Sequence, residues 1–197
     1  WDHFNKEGTD AIRWYMTSQS APWNPMNFDP NGVRETYAKM FLTLWNVHKF
    51  HLDYAILDNF DYNKDFITVD KRNALDRWIL SRVSTVAENY HNQYLSWEFH
   101  KAARELENFV INDLSNWYVR RSRRRLWDEA DSHDKQACQF TLHEVLLTVS
   151  KLMAPVAPFM PDKIHFDLTG TSVHMADWPL GSDLVSKDLP PQDLDLE

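Results

Sequence analysis

Apolar residues along this 197-residue chain recur at spacings of three and four, which is the pattern of amphipathic helices. One stripe runs through residues 33–57, behind an Asp29-Pro30 pair that is typical of an N-cap followed by proline in the first turn. Further stripes cover 75–90, 99–117 and 140–153, and a shorter one begins near Thr9 and ends near Ser20. Because short connections separate the stripes, we predict an all-α fold, an antiparallel helical bundle.

Polar residues and prolines set the expected ends of these helices. The prolines in segment 21–25 forbid a regular helix and predict a structured connector. Ser96 is the expected N-cap of the third long helix, after a second helix that ends near residues 91–92. The fourth helix is expected from about His133 to Met153, and its apolar residues cover more than one face, as in a central helix. Three prolines punctuate a short final helix, and Ser172–Met175 is expected to be extended.

The third stripe runs into a dense cluster of arginine. Five arginines fill six positions between Trp117 and Trp127, in a chain whose formal net charge is −8. On a helical wheel with 100° per residue, the arginines continue in the direction of the apolar stripe. Trp117 falls in the core, and Arg124 points in nearly the same direction. Unpaired arginines are costly to bury, so either the helix leaves the bundle here or neighbouring acids pair with the cluster.

Two main interpretations of the cluster remain open from these residues alone. In the first, Asp113, Asp128, Glu129 and Asp131 pair with it and its role is structural. In the second, it is a phosphate-binding ridge, since the planar guanidinium makes paired hydrogen bonds to phosphate and also stacks on bases. The ridge hypothesis assigns backbone contacts to Arg120, Arg121, Arg123, Arg124 and Arg125, and stacking surfaces for unpaired bases to Tyr118 and Trp127. An anionic protein partner and ordinary solvation of the helix end are further alternatives.

Other chemistry finds little support in the sequence. His48 and His51 share a helix face, but no further ligand completes a metal site, so we interpret them as partly buried and hydrogen-bonded. We interpret His143-Glu144 as a satisfied polar pair and Cys138 as a core residue. The sequence contains no glycine-rich phosphate loop, nucleophile elbow or zinc-protease motif. It therefore predicts no catalytic residue and no metal site.

Composition adds three expectations about context. A single cysteine fits a reducing compartment, and the cytoplasm is the natural expectation. No apolar run approaches the roughly 20 residues that cross a bilayer, and the missing initiator methionine suggests a piece of a larger protein. Residues 181–197 hold five acids and one lysine, so half of the net charge lies in this tail. The body is closer to neutral, and its local fields decide what it attracts.

Several short segments follow one another in a fixed order over residues 1–179. They include APWN at 21–24, LDRWILS at 75–81, DLSNWYVRR at 113–121 and SVH at 172–174. In this order they resemble the region after the catalytic core in the isoleucyl-tRNA synthetase family of class I aminoacyl-tRNA synthetases. Valyl- and leucyl-type relatives have a similar bundle, and the isoleucine assignment rests on the RSRRR run, APWN and SVH.

The resemblance implies three units and a function. Residues 1–30 would be a stem-contact segment after the catalytic core, 31–168 the helical anticodon-binding bundle, and 169–197 an extended segment with an acidic tail. The bundle would bind the anticodon stem-loop of isoleucine-specific tRNA and contact the catalytic and editing domains of the same chain. The family's nucleotide-site signatures are missing, so no cofactor is expected here; ATP and Mg²⁺ would belong to the full-length ligase, and zinc to other regions. The alternatives are a bundle that serves mainly interdomain packing, or the equivalent valyl or leucyl domain.

Overall fold

The helices that the sequence predicts are present in a computed structural model, which describes residues 5–64, 66–127 and 132–180. Within these residues no strand occurs, and the all-α prediction is confirmed. Two π-helical segments, Tyr37–Phe41 and Phe109–Val119, join α2 to α3 and α5 to α6 without a break, and 3₁₀ turns cover Val69–Lys71 and Val173–Met175. The α-helices are α1 (Thr9–Ser18), α2 (Pro30–Thr36), α3 (Leu42–Leu57), α4 (Ala74–Leu95), α5 (Phe99–Asn108), α6 (Arg120–Trp127), α7 (His133–Met153) and α8 (Met160–Thr169).

The helix ends follow local hydrogen bonds, and the N-cap predicted at Ser96 is wrong. The Asp29 side chain accepts from the Asn31 amide and Pro30 opens α2, as expected. Ser96, however, is the C-cap of α4, and α5 begins after Glu98, because Trp97 takes a left-handed conformation (φ 60°) that separates the two helices.

The segment at Ser172 is also not extended. The Ser172 hydroxyl donates to Asp162 of α8 at 2.6 Å and accepts from the His174 amide, while the Val173 amide donates to Asp162 at 2.9 Å. These bonds fold the segment into the 3₁₀ turn Val173–Met175 against α8. The acidic tail, residues 181–197, lies outside the described residues.

The N-terminal helix α1 shares the hydrophobic core of the bundle. Trp14 is fully buried in the main core cluster. The Asp10 carboxylate accepts hydrogen bonds from the Phe159 and Met160 amides and so caps α8, a helix that lies about 150 residues further along the chain. Arg13 donates to the Val156 carbonyl at 2.6 Å. A stem-contact role for residues 1–30 stays a prediction, and its helix is packed as part of the bundle.

The inner face of the continuous rod from α5 to α6 is a ladder of every fourth residue. Its members are fully buried: Ala102, Leu106, Val110, Leu114, Tyr118, Ser122 and Leu126. In an α-helix a four-residue step overshoots one turn by about 40°, so six such steps would carry the ladder about 240° around the rod. The π-helical segment Phe109–Val119 has wider turns and offsets this drift. The ladder therefore stays on the core side along the whole rod.

A buried ion pair ties the loop between α3 and α4 to the central helix α7. The Arg72 side chain has no exposed surface and donates to both carboxylate oxygens of Glu144, at 2.6 and 2.9 Å. It also donates to the Ile67 carbonyl and the Thr141 hydroxyl, and Tyr62 donates to Glu144. Glu144 is thus satisfied, as expected of a polar group in this position, but its partner comes from a distant loop.

Several histidines are buried beside this loop. His48 in α3 lies 3.1 Å from Asp167 in α8, whereas His51 packs near His143, with ring centroids 5.8 Å apart. His143 stacks on Tyr62 at 4.2 Å. Burial, reinforced by neighbouring histidines, lowers the pKa of His51 to about 3 and that of His143 to about 4. Both rings are therefore neutral in the folded protein near pH 7.

These pKa shifts predict that the fold loses stability in mild acid. Since the folded pKa of His143 lies below the ordinary 6.5, the unfolded chain takes up the proton first as pH falls. Between pH 7 and 5.5 this removes about 1 kcal/mol of unfolding free energy. His143→Phe keeps an aromatic ring against Tyr62 but cannot titrate, so its urea unfolding free energy should fall less over this range. Equal losses in the variant and the wild type would contradict the assignment.

Candidate nucleic-acid interface

Helix α6 carries four arginines on its solvent side. Arg120, Arg121, Arg123 and Arg124 are exposed, and Ser122 and Leu126 turn to the core. We call these four arginines the arginine face. No carboxylate of the described residues pairs with them, and Asp113, a predicted partner, instead binds Arg82 at 2.9 Å. The other predicted partners, Asp128, Glu129 and Asp131, lie outside the described residues.

Arg125 is the exception, and its predicted role as a backbone contact is corrected by the structure. Its side chain is 13% exposed and donates to both carboxylate oxygens of Asp76, at 2.8 and 2.7 Å. It also donates to both carboxylate oxygens of Asp134, at 2.7 and 2.9 Å. Two carboxylates thus hold this guanidinium within the protein, so Arg125 is a structural residue.

Two neighbouring aromatic side chains exchange the places expected for them. Tyr118 is fully buried and donates to Asp76 at 2.6 Å, so it offers no surface on which a base can stack. Trp117, expected in the core, is half-buried and lies outside the core clusters. The expectation used α-helical geometry throughout, and the π-helical segment Phe109–Val119 changes the register by the time the chain reaches these residues. Trp127 is 57% exposed and remains a candidate stacking surface.

The Asp76 carboxylate organises this end of the bundle. It lies in the first turn of α4 and is fully buried, and Asp134 lies in the first turn of α7. Both positions favour a negative charge because helix N-termini carry partial positive charge. Arg125 joins the two helix ends, and Asn73 reinforces the junction by capping α4 and donating to Asp134 at 2.9 Å.

The protonation states of this network follow from burial and charge. Burial alone would lower the pKa of Arg125, but its hydrogen bonds to Asp76 and the electrostatic contributions of neighbouring groups together outweigh that effect and raise the pKa above its usual value. Burial, followed by the nearby Asp76 charge, raises the pKa of Tyr118 well above its usual value. Burial also raises the pKa of the Cys138 thiol to about 12, which fits the core role expected for it. The network thus holds a charged guanidinium, with a neutral phenol and thiol beside it.

Sequence reasoning did not identify Asp76 and Asp134 as partners of the cluster. One signal for Asp76 was present, because it occupies a position in the apolar stripe of α4 between Leu75 and Ile79. A carboxylate on a buried face requires a cation or several donors, and the arginine cluster was the obvious source.

The described residues contain no group of three or more histidine, cysteine, aspartate or glutamate side chains placed to hold a metal ion. None of the helices in the described ranges is both long and apolar enough to cross a bilayer. The arginine face presents a cationic surface on helix α6.

The fold is shared with a solved class I synthetase. LeuRS from Agrobacterium radiobacter K84, solved in a ternary complex with tRNA and LeuAMS, matches with a TM-score of 0.65 over 93% of this chain and 21% of its own, at 18% sequence identity. A family model described as the anticodon-binding domain of tRNA ligase matches residues 76–196. The chain belongs to this family.

Curated relatives are more similar in sequence. The isoleucine–tRNA ligase of Porphyromonas gingivalis is 46% identical over 88% of this chain. Isoleucine–tRNA ligase 2 of Bacillus thuringiensis subsp. konkukian is 42% identical over 91%, and the isoleucine–tRNA ligase of Bacteroides fragilis is 40% identical over 94%. These matches cover 16–17% of each relative, so the chain spans about a sixth of their length.

The different positions of Arg125 and Arg124 predict opposite mutational effects on stability. Arg125→Ala leaves the buried Asp76 carboxylate without its cation and should lower the unfolding free energy by about 3 kcal/mol. Arg124→Ala removes an exposed side chain and should change it by less than about 0.5 kcal/mol. Urea denaturation of both variants measures the difference. Similar losses for the two would show that Arg125 is not the structural member of the cluster.

Proposed function

We propose that the chain is the anticodon-binding module of an isoleucine–tRNA ligase, the enzyme that attaches isoleucine to its tRNA using ATP. The observation that carries the proposal is the arginine face: four exposed guanidinium groups on one helix, with no carboxylate partner among the described residues. The isoleucine assignment is supported by the names of the relatives and by the ordered segments that include APWN, RSRRR and SVH.

Arginine suits this role better than lysine. Its planar guanidinium binds phosphate through two parallel hydrogen bonds and keeps its charge at any physiological pH. Phosphate contacts position a nucleic acid without reading its sequence, so the arginine face would orient the anticodon stem-loop while other groups identify it. In the complete ligase this would help to place the acceptor end of the tRNA at a catalytic site in another domain.

The remaining parts of the proposed enzyme would lie elsewhere. ATP and Mg²⁺ would bind the catalytic domain, zinc would be confined to regions outside this chain, and this module would hold no cofactor. The catalytic and editing domains of the same ligase would be its protein partners. The proposed setting is the cytoplasm, where isoleucine-specific tRNA would be available.

A second role, packing against other domains, is favoured by a separate surface. Trp97, Leu95 and Trp23 are each about 70% exposed. They lie near the start of α5, where Trp97 contacts Phe99 and Trp23 contacts His100. The rod from Phe99 to Trp127 is roughly 40 Å long, so this apolar surface and the arginine face lie toward opposite ends of it. One end can therefore contact protein while the other contacts RNA.

The arginine face predicts a specific salt dependence of RNA binding. If its four guanidinium groups each neutralise one phosphate, log Kd should rise with log salt with a slope of about 2.8, and affinity should fall about 50-fold between 50 and 200 mM salt. Arg125 does not contribute to this number, because its guanidinium is already paired. Fluorescence anisotropy with a labelled anticodon stem-loop of isoleucine-specific tRNA measures the slope.

A pair of variants locates the salt effect. Arg123→Ala should lower the slope by about 0.7. Lys101→Ala removes a charge of the same sign at the opposite end of the rod and should leave the slope unchanged. Binding without salt dependence, or equal effects of the two variants, would count against the arginine face as the RNA-binding surface.

A further inference from the structure

Arg121 differs from the other members of the arginine face because it lies on an aromatic ring. Its guanidinium carbon is 4.3 Å from the centroid of the Trp117 ring. From this contact we propose that Trp117 and Arg121 form a stacking platform for one unpaired base of the bound RNA. The proposal rests on the proposed function and names the residues that contact a base within it.

Trp117 lies at the surface of the rod although it could have contributed to the core. A tryptophan beside a large core would bury more apolar surface if it faced inward, as its neighbour Tyr118 does. The π-helical segment places Tyr118 inside and leaves Trp117 half-buried, outside both core clusters. Such segments occur frequently at functional sites. The local structure thus places a large aromatic ring at the edge of the arginine face.

The Arg121 side chain is held by Trp117 and not by a carboxylate of the described residues. It is exposed, and among the described residues no carboxylate pairs with it. Its contact with Trp117 is a cation–π interaction, which restricts a long side chain that would otherwise sample many rotamers. Because Arg121 is exposed as well as placed over the ring, its guanidinium is accessible to a base. RNA-binding proteins stack unpaired bases on guanidinium planes and on aromatic rings.

Two further arginines, Arg120 and Arg124, lie beside the pair of Trp117 and Arg121. Residues three and four apart are neighbours on a helix surface, with about 5–6 Å between their Cβ atoms. Arg124 is therefore a neighbour of Arg121, and Arg120 is a neighbour of Trp117. Phosphates bound to Arg120 and Arg124 would hold the RNA backbone beside the platform. A base of the same nucleotide could then reach the platform. A duplex, whose bases are already stacked, would not use this surface.

The experiment compares two RNAs with the same number of phosphates. The probes are an anticodon stem-loop and the same molecule with abasic sugars at the unpaired loop positions, each titrated with the 197-residue chain. We expect the wild-type chain to bind the base-containing loop roughly fivefold or more tightly. Arg121→Lys keeps the charge and the salt slope but has no planar group, so it should lose most of this preference.

A second variant and a matched control complete the test. Trp117→Leu should also lose the preference, whereas Trp97→Leu, the same change at an exposed tryptophan near the other end of the rod, should keep it. Equal wild-type affinity for the two RNAs, with the salt slope intact, would overturn the platform and leave the proposed function standing. An absence of salt-dependent binding to either RNA would overturn both.

Discussion

The buried charge of Asp76 is the constraint on which the arrangement of this domain depends. A fully buried carboxylate must be matched by a cation and by hydrogen-bond donors, and Arg125 and Tyr118 supply them. Because Arg125 belongs to α6, this pairing fixes the rotation of α6 about its axis. With Arg125 turned inward, the other four arginines of the cluster are exposed to solvent. A single internal ion pair thus determines which charges the domain presents.

The π-helical segment makes this pairing compatible with a continuous rod. With α-helical geometry throughout, the four-residue ladder from Ala102 to Leu126 would wind around the rod, and its two ends could not face the same core. The wider turns of Phe109–Val119 remove that conflict and bring Tyr118 beside Asp76. They also turn Trp117 outward. The local helix geometry is therefore the common cause of the buried contact of Tyr118 with Asp76 and of the surface contact of Trp117 with Arg121.

The sequence predicted the bundle well, because helix period and capping are local properties. Asp29-Pro30 and the helix from His133 to Met153 were found from them, whereas they left open whether the arginine cluster is paired or exposed. The errors at Trp117, Tyr118 and Arg125 arise in or after the π-helical segment, whose change of register a spacing of 100° per residue does not reveal. The Arg72–Glu144 pair joins residues 72 positions apart, and no local pattern connects them. Asp76 in an apolar stripe was a usable signal for a buried cation.

The Asp10 cap on α8 has a consequence for synthesis of the chain on the ribosome. The carboxylate that completes the start of α8 is made first, and the amide that it binds at Met160 is made 150 residues later. At 5–20 residues per second, α1 waits roughly 8 to 30 s for this partner. Since α1 supplies the N-terminal cap of α8, this contact between the two helices can form only after Met160 has been synthesised.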